Sequence, residues 1–179
     1  LLDRFREIEP LADDVSVPAV PGLSVYVKPR AGRVYVGGAD PAGGNPNSDE
    51  SAAVFLDNET GEQVAELVGR IEPAAFAAGI DKIGSWYNDA LVMIERQNHG
   101  HAVLLWLAMN SRIMCLSGPD RQRGWLTTVQ SKVNLYDAAA DGFRHGETLI
   151  HSPTAFHQLA SIEGNTLKAP EWELDDVAM

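Results

Sequence analysis

The chain has 179 residues, 45% hydrophobic and 22% charged, which is enough for one domain with a real core. Its 14 Lys and Arg against 25 Asp and Glu give a formal net charge of −11. That balance argues against a passive nucleic-acid coat, which shows a basic field, but leaves room for a metal-dependent nuclease whose clustered carboxylates are neutralised by bound cations.

The chain opens on Leu1-Leu2-Asp3-Arg4-Phe5 without Met, like the tail of an earlier helix, and stops at Val177-Ala178-Met179, like the first turn of another. Both ends read as those of a domain excised from a larger protein. Pro10, Pro18, Pro21 and Pro29 interrupt any long helix in residues 1–32. That stretch reads as a linker carrying one short strand, Leu23 to Val27. Strand patterns follow at Arg33 to Gly38 and Ser51 to Asp57, and a turn at Asn58-Glu59-Thr60-Gly61 returns the chain through Gln63 to Val68. Short turns join antiparallel neighbours, so these three form a meander.

Glu72-Pro73 opens a helix, with Pro in its first turn, and Phe76, Ile80, Ile83 and Tyr87 give it an apolar face. Asn88-Asp89 ends it. Ala90 to Ile94 is a continuous apolar run, the pattern of a strand buried on both faces, and it stops at Glu95. Gly100 to Asn110 reads as a helix with Val103, Leu104 and Leu107 inward, and Arg112 to Leu116 as another short strand. The only cysteine, Cys115, lies in that run. One cysteine excludes a disulfide framework and a Cys-rich zinc site, and reads as a small core residue compatible with a reducing cytosol. Ser117 to Gly124 is an Arg-bearing loop. A helix follows from Ser131 to Phe143, a short strand from Glu147 to His151, a helix capped by Ser152, and a last helix opened by Leu174-Asp175-Asp176. The longest apolar run, Ala102 to Met109, is too short to span a bilayer, so no membrane partner is expected. The order predicts an α/β domain with a mixed central sheet and helices on its faces.

Three acidic points stand at the ends of apolar elements. Asp40 follows the first strand of the meander in a Gly/Pro-rich turn, Gly37 to Gly44. Glu95 follows the Ala90 to Ile94 strand, and Asp175 and Asp176 open the final helix. If those two strands lie side by side, their carboxyl ends bring Asp40 and Glu95 to one cleft mouth. Carboxylates gathered at one spot repel unless a cation neutralises them, and hard oxygen ligands favour Mg2+ or Mn2+. Two such ions support phosphodiester hydrolysis without a nucleophilic side chain. Taken singly, each acid also reads as a solvated turn, strand-end or helix-start residue. His99 and His101 near Glu95 are weak evidence for a metal. Arg112, Arg121, Arg123 and Lys132 read as a solvated face or as a grip on a phosphate backbone. No GxxxxGK[ST] is present, so the Gly-rich turn is not a Walker A phosphate cradle.

These stretches together resemble a known family. GGADPAGG with SDESAAVFLD is similar to the first strands of the nuclease domain of the large terminase subunit of tailed bacteriophages. MIERQNHGHAVLLWL looks like its second acidic motif, and GWLTTVQSK and ELDDVAM look like its later Trp-Thr-Lys stretch and terminal Asp-Asp motif. The resemblance runs in consistent order from Arg33 to Met179. It implies a ribonuclease H-like fold over 33–179 and a metal-dependent endonuclease that cuts concatemeric double-stranded DNA during genome packaging, using a two-ion Mg2+ or Mn2+ site. It carries over Asp40 as the central metal bridge, Glu95 as the second ligand, and Asp176 or Asp175 as the third. Asp49 corresponds to an acid that assists a second ion, and Lys132 to a lysine that faces DNA, with Arg121 and Arg123 beside it. It also implies an ATPase motor domain in the full protein, a portal and a small terminase subunit as partners, and the cytoplasm of an infected or prophage-carrying bacterial host as the setting. Other expectations remain open: another ribonuclease H-like enzyme such as a junction resolvase or transposase, a non-catalytic docking module, and an actin-like ATP-binding domain.

Overall fold

The computed structural model describes residues 2–11 and 15–162. A five-stranded sheet forms the centre: β1 (Leu23–Val25), β2 (Tyr35–Asp40), β3 (Ser51–Asp57), β4 (Gln63–Gly69) and β5 (Leu91–Ile94), in spatial order β1-β4-β3-β2-β5. The β2-β3-β4 meander is antiparallel, β1 joins β4 antiparallel, and β5 joins β2 parallel. The helices are α1 (Pro73–Trp86), α2 (Gly100–Asn110), α3 (Val129–His145) and α4 (Pro153–Ser161). The mixed sheet, the meander and the parallel fifth strand are those expected. Among the described residues, no helix is long and apolar enough to cross a membrane.

Side chains alternate across a strand, so the sheet has two distinct faces. Ala53, Phe55, Ala65, Leu67, Val92 and Ile94 point to the face that receives α1 and α2 and form one continuous core with Phe76, Ile80, Ile83, Tyr87, Val103 and Leu107. Phe76, Ile80 and Ile83 of α1 and its C-cap Tyr87 are each 0% exposed, as their spacing predicts. Burial of each such side chain is worth about 1.5–3 kcal/mol. The opposite face meets α3 and α4 through a small cluster of Ala52, Ile150 and Ala155, with Phe143 and Leu159 packed on it. Because α3 holds no buried residue, this face keeps open clefts.

Several boundaries differ from the sequence reading. The first meander strand, expected over Arg33 to Gly38, starts at Tyr35 and runs on to Asp40, so the first half of the Gly/Pro-rich stretch, Gly37 to Asp40, lies in the strand. A Cβ on Gly37 would stand 3.0 Å from the Phe55 ring, so core packing selects glycine inside the strand. The β5 strand is buried on one face only, with Leu91 and Met93 half-buried on the α3 side. Residues 112–116 form no full strand. Cys115 makes a single parallel bridge to Val92, and Met114 is exposed. The Cys115 thiol is half-buried against the core, and burial pushes its pKa up, opposed by Arg123. The short strand expected from Glu147 to His151 is likewise reduced to bridges of Leu149 to Glu62 and Ile150 to Phe5. Ahead of residue 33, β1 caps the sheet edge, and Leu11, Val17 and Val20 pack on the core.

Candidate metal centre

Two strands position the acids. Parallel pairing of β2 with β5 sets Ala39 opposite Ile94, and the Glu95 amide donates to the Ala39 carbonyl at 2.8 Å. Asp40 and Glu95 are thus the next residues along two adjacent strands running the same way. Alternation puts them with Gly38 and Met93 on the α3 side of the sheet. Both carboxylates are half-buried.

The backbone after β5 is held on all sides. Trp125 bridges Glu95 in parallel register, with its amide donating to the Ile94 carbonyl at 2.7 Å and its carbonyl accepting from Arg96 at 2.9 Å. Gly124, at φ +80°, lets this segment approach, since a Cβ there would be 2.7 Å from the Ile94 carbonyl oxygen. The first turn of α2 returns against the same place, and a Cβ on Gly100 would collide with the Glu95 carbonyl. On the β2 side, Ala42 donates its amide to Ser51 Oγ at 2.9 Å, which ties the loop after Asp40 back to the start of β3.

The two acids line a polar cavity of about 670 Å3 that also includes Asp49, Glu50, Gln97 and His99. Asp40 and Glu95 also line a second cleft of about 340 Å3, whose other walls include Trp125, Lys132 and Tyr136. The donors are hard oxygens, the chemistry that suits Mg2+ or Mn2+. Among the described residues, no group of three or more His, Cys, Asp and Glu is placed to hold a metal ion. The expected third ligands, Asp175 and Asp176, lie outside the described residues.

The other expected site residues divide. Asp49 is exposed in the loop between β2 and β3 and opens onto the polar cavity. Lys132 lies in the first turns of α3, at the second cleft, with Nζ 5.7 Å from the Tyr136 ring centroid. Arg121 and Arg123 are exposed on the Ser117 to Gly124 loop and line neither cavity. His101 is exposed on α2, away from the cavity that His99 edges.

Two groups escaped the sequence reading. Arg96, beside Glu95, is 7% exposed and pairs with Asp120. That guanidinium, helped by the Gln122 amide, holds the Asp120 carboxyl below its usual range. Trp125 lies on the cleft wall, with its indole N–H buried and without a hydrogen-bond partner among the described residues. The signal for Arg96 was its position directly after a strand-end acid; Trp125 was marked only within the Trp-Thr-Lys resemblance, with nothing to place it beside Glu95.

No family model and no curated protein matches the chain. Solved structures do. The large terminase nuclease from thermophilic phage G20c with bound magnesium matches with a TM-score of 0.77 and 18% identity, over 99% of this chain and 90% of that one. The same nuclease with bound cobalt gives 0.78 at 17% identity and the same coverage. The nuclease domain of the Thermus phage P74-26 large terminase gives 0.68 at 18% identity, over 90% of this chain and 76% of that one. At these identities the likeness is one of architecture: the chain has the ribonuclease H-like fold of large terminase nuclease domains.

Proposed function

We propose that the chain is the metal-dependent DNA endonuclease domain of a phage terminase large subunit, cutting concatemeric double-stranded DNA during genome packaging by two-metal hydrolysis. The observation that carries the proposal is the pairing of Asp40 and Glu95 at the ends of adjacent parallel strands, both opening into one polar cavity. The magnesium and cobalt bound to the G20c nuclease support a divalent ion. Asp40 and Glu95 would hold the ions, with Asp176 or Asp175 as the third ligand. Asp49 serves a second ion from across the polar cavity. Such ions, when bound, activate a water and stabilise the leaving oxygen of the phosphodiester.

The chain's own residues orient and neutralise. The Glu95 backbone, fixed by Ala39, Trp125 and Gly100, holds its carboxylate in register with Asp40. Lys132 at the cleft edge and Arg121 and Arg123 on the neighbouring loop contact phosphates and offset the acidic total locally. In the full protein, an ATPase motor domain, the portal and a small terminase subunit deliver the DNA, in the cytoplasm of the infected or prophage-carrying host.

The test is nicking of supercoiled plasmid with Mn2+ or Mg2+, against EDTA and against Glu95→Gln, which keeps volume and removes charge. The proposal predicts metal-dependent cutting that falls more than about 100-fold in the variant, since loss of even an outer-shell partner costs about 10–100-fold. Cutting that survives EDTA and the variant would falsify it. A strong preference for four-way junctions over linear duplex would point to a resolvase instead. A folded domain that binds portal but neither metal nor DNA would be a docking module.

A further inference from the structure

Asp40 and Glu95 stand at the divide between two unlike spaces. On one side is the polar cavity of the Asp49 loop; on the other is the 340 Å3 cleft between the sheet and α3. The walls of that second cleft are mostly side chains with no role in metal binding: Met93, Trp125, Leu135 and Tyr136. Met93 and Leu135 offer hydrated ions and phosphates no partners. Aromatic faces beside a phosphate-handling centre are, however, the surface on which a nucleobase stacks. The volume falls within the range of small-molecule pockets.

From this geometry we propose that the cleft receives one base of the DNA strand being cut, unstacked from its neighbours and stacked against Trp125 and Tyr136, next to the phosphate held at Asp40 and Glu95. The proposal deepens the nuclease reading above and rests on it. Three observations favour a nucleotide as the occupant. The cleft is continuous with the acid pair, so the nucleoside adjoining the scissile phosphate lies within its reach. Lys132 places a cation at the cleft over the Tyr136 ring, where the next phosphate of the strand passes. Trp125 and Tyr136 both line the cleft, so two aromatic side chains border the space one base would fill.

A base in a stacked duplex cannot enter a cleft of this kind, so the consequence is a substrate preference. The enzyme acts best where the strand is single, mispaired or otherwise opened, because unstacking is cheapest there.

The test is fluorescence anisotropy with labelled hexathymidylate and a labelled strand of the same length carrying abasic sites, with Ca2+ in place of Mn2+. Both probes have the same phosphates. The proposal predicts about tenfold tighter binding of the strand with bases, in line with the stacking strength of one base on an aromatic side chain. Trp125→Ala and the cleft-filling Ala139→Trp should each abolish the difference, whereas Trp125→Phe should keep most of it; circular dichroism checks that each variant is folded. Equal binding of both probes by the wild type, a preference that survives both disabling variants, or binding of neither probe would overturn the proposal. Plasmid nicking in parallel separates the two claims. Nicking without a base preference rejects the cleft and leaves the nuclease standing, and a base preference without nicking supports the cleft and rejects the nuclease.

Discussion

The first turn of α2 presses on the end of β5 so closely that only hydrogen fits on Gly100 against the Glu95 carbonyl. Backbone cannot yield as a flexible side-chain tip does. Gly100→Ala should therefore destabilise the domain by about 1–3 kcal/mol, the usual cost of overpacking. It should also displace Glu95, so metal-dependent cutting should fall by more than the lost stability explains. Urea unfolding beside the nicking assay, at a temperature where the variant stays folded, checks both.

The two faces of the sheet should differ in stability. Phe76 is 0% exposed in the α1/α2 core, and Phe76→Ala should cost about 3–5 kcal/mol. Leu135 on α3 is 40% exposed, and Leu135→Ala should cost less than about 1 kcal/mol. Amide exchange should follow the same order, with α3 exchanging well before α1, because few buried contacts hold it. Equal protection of the two helices would contradict this picture.

The Arg96–Asp120 pair fixes the backbone beside Glu95, and it gives a pH signature. The folded Asp120 carboxyl titrates below its unfolded value. Its contribution is therefore complete above the unfolded pKa, about 3.9, and is lost as pH falls through the lower folded value. Thermal melts of the wild type and Asp120→Asn should differ at pH 6 and converge under strong acid. A gap that widens on acidification would contradict the assignment.

Two tyrosines set a limit at the alkaline end. Burial, then Glu66, raises the Tyr26 hydroxyl, which donates to Glu66 at 2.8 Å; burial, then Tyr35, raises that of Tyr87, which donates to the Val27 carbonyl at 2.7 Å. With folded values above unfolded ones, the stability these groups supply is complete below about pH 10 and declines as pH rises toward the folded values. Absorbance at 295 nm should show Tyr26 and Tyr87 ionising only as the fold melts, whereas Tyr87→Phe should remove one such late phenolate.

Where the structural cause was local, the sequence showed it. The β3 strand from Ser51 to Asp57 and the α2 helix from Gly100 to Asn110 appear with the limits their patterns give. Period-2 and period-3.6 apolar spacing, punctuated by turns, carries that information within a few residues. The adjacency of Asp40 and Glu95 depended on strand order, and the reading of a mixed sheet with those two strands side by side anticipated it. Gly37 and Gly38 belong both to the strand pattern Arg33 to Gly38 and to the Gly/Pro-rich stretch Gly37 to Gly44; the strand runs on through them to Asp40, and the Phe55 ring packed over Gly37 accounts for glycine at that position. The run 112–116 looked like a strand, but a single bridge to Val92 leaves Met114 in solvent. Trp125 could not be placed at the acids from sequence, because its position comes from a bridge across 30 residues of chain, from Glu95 to Trp125.

The most direct measurement of the central claim is anomalous scattering from Mn2+ in crystals of the wild-type domain. The account predicts an ion bound jointly by the Asp40 and Glu95 carboxylates at the mouth of the polar cavity, lost in Asp40→Asn. Manganese bound elsewhere, or an ion at this place that persists without Asp40, would contradict it.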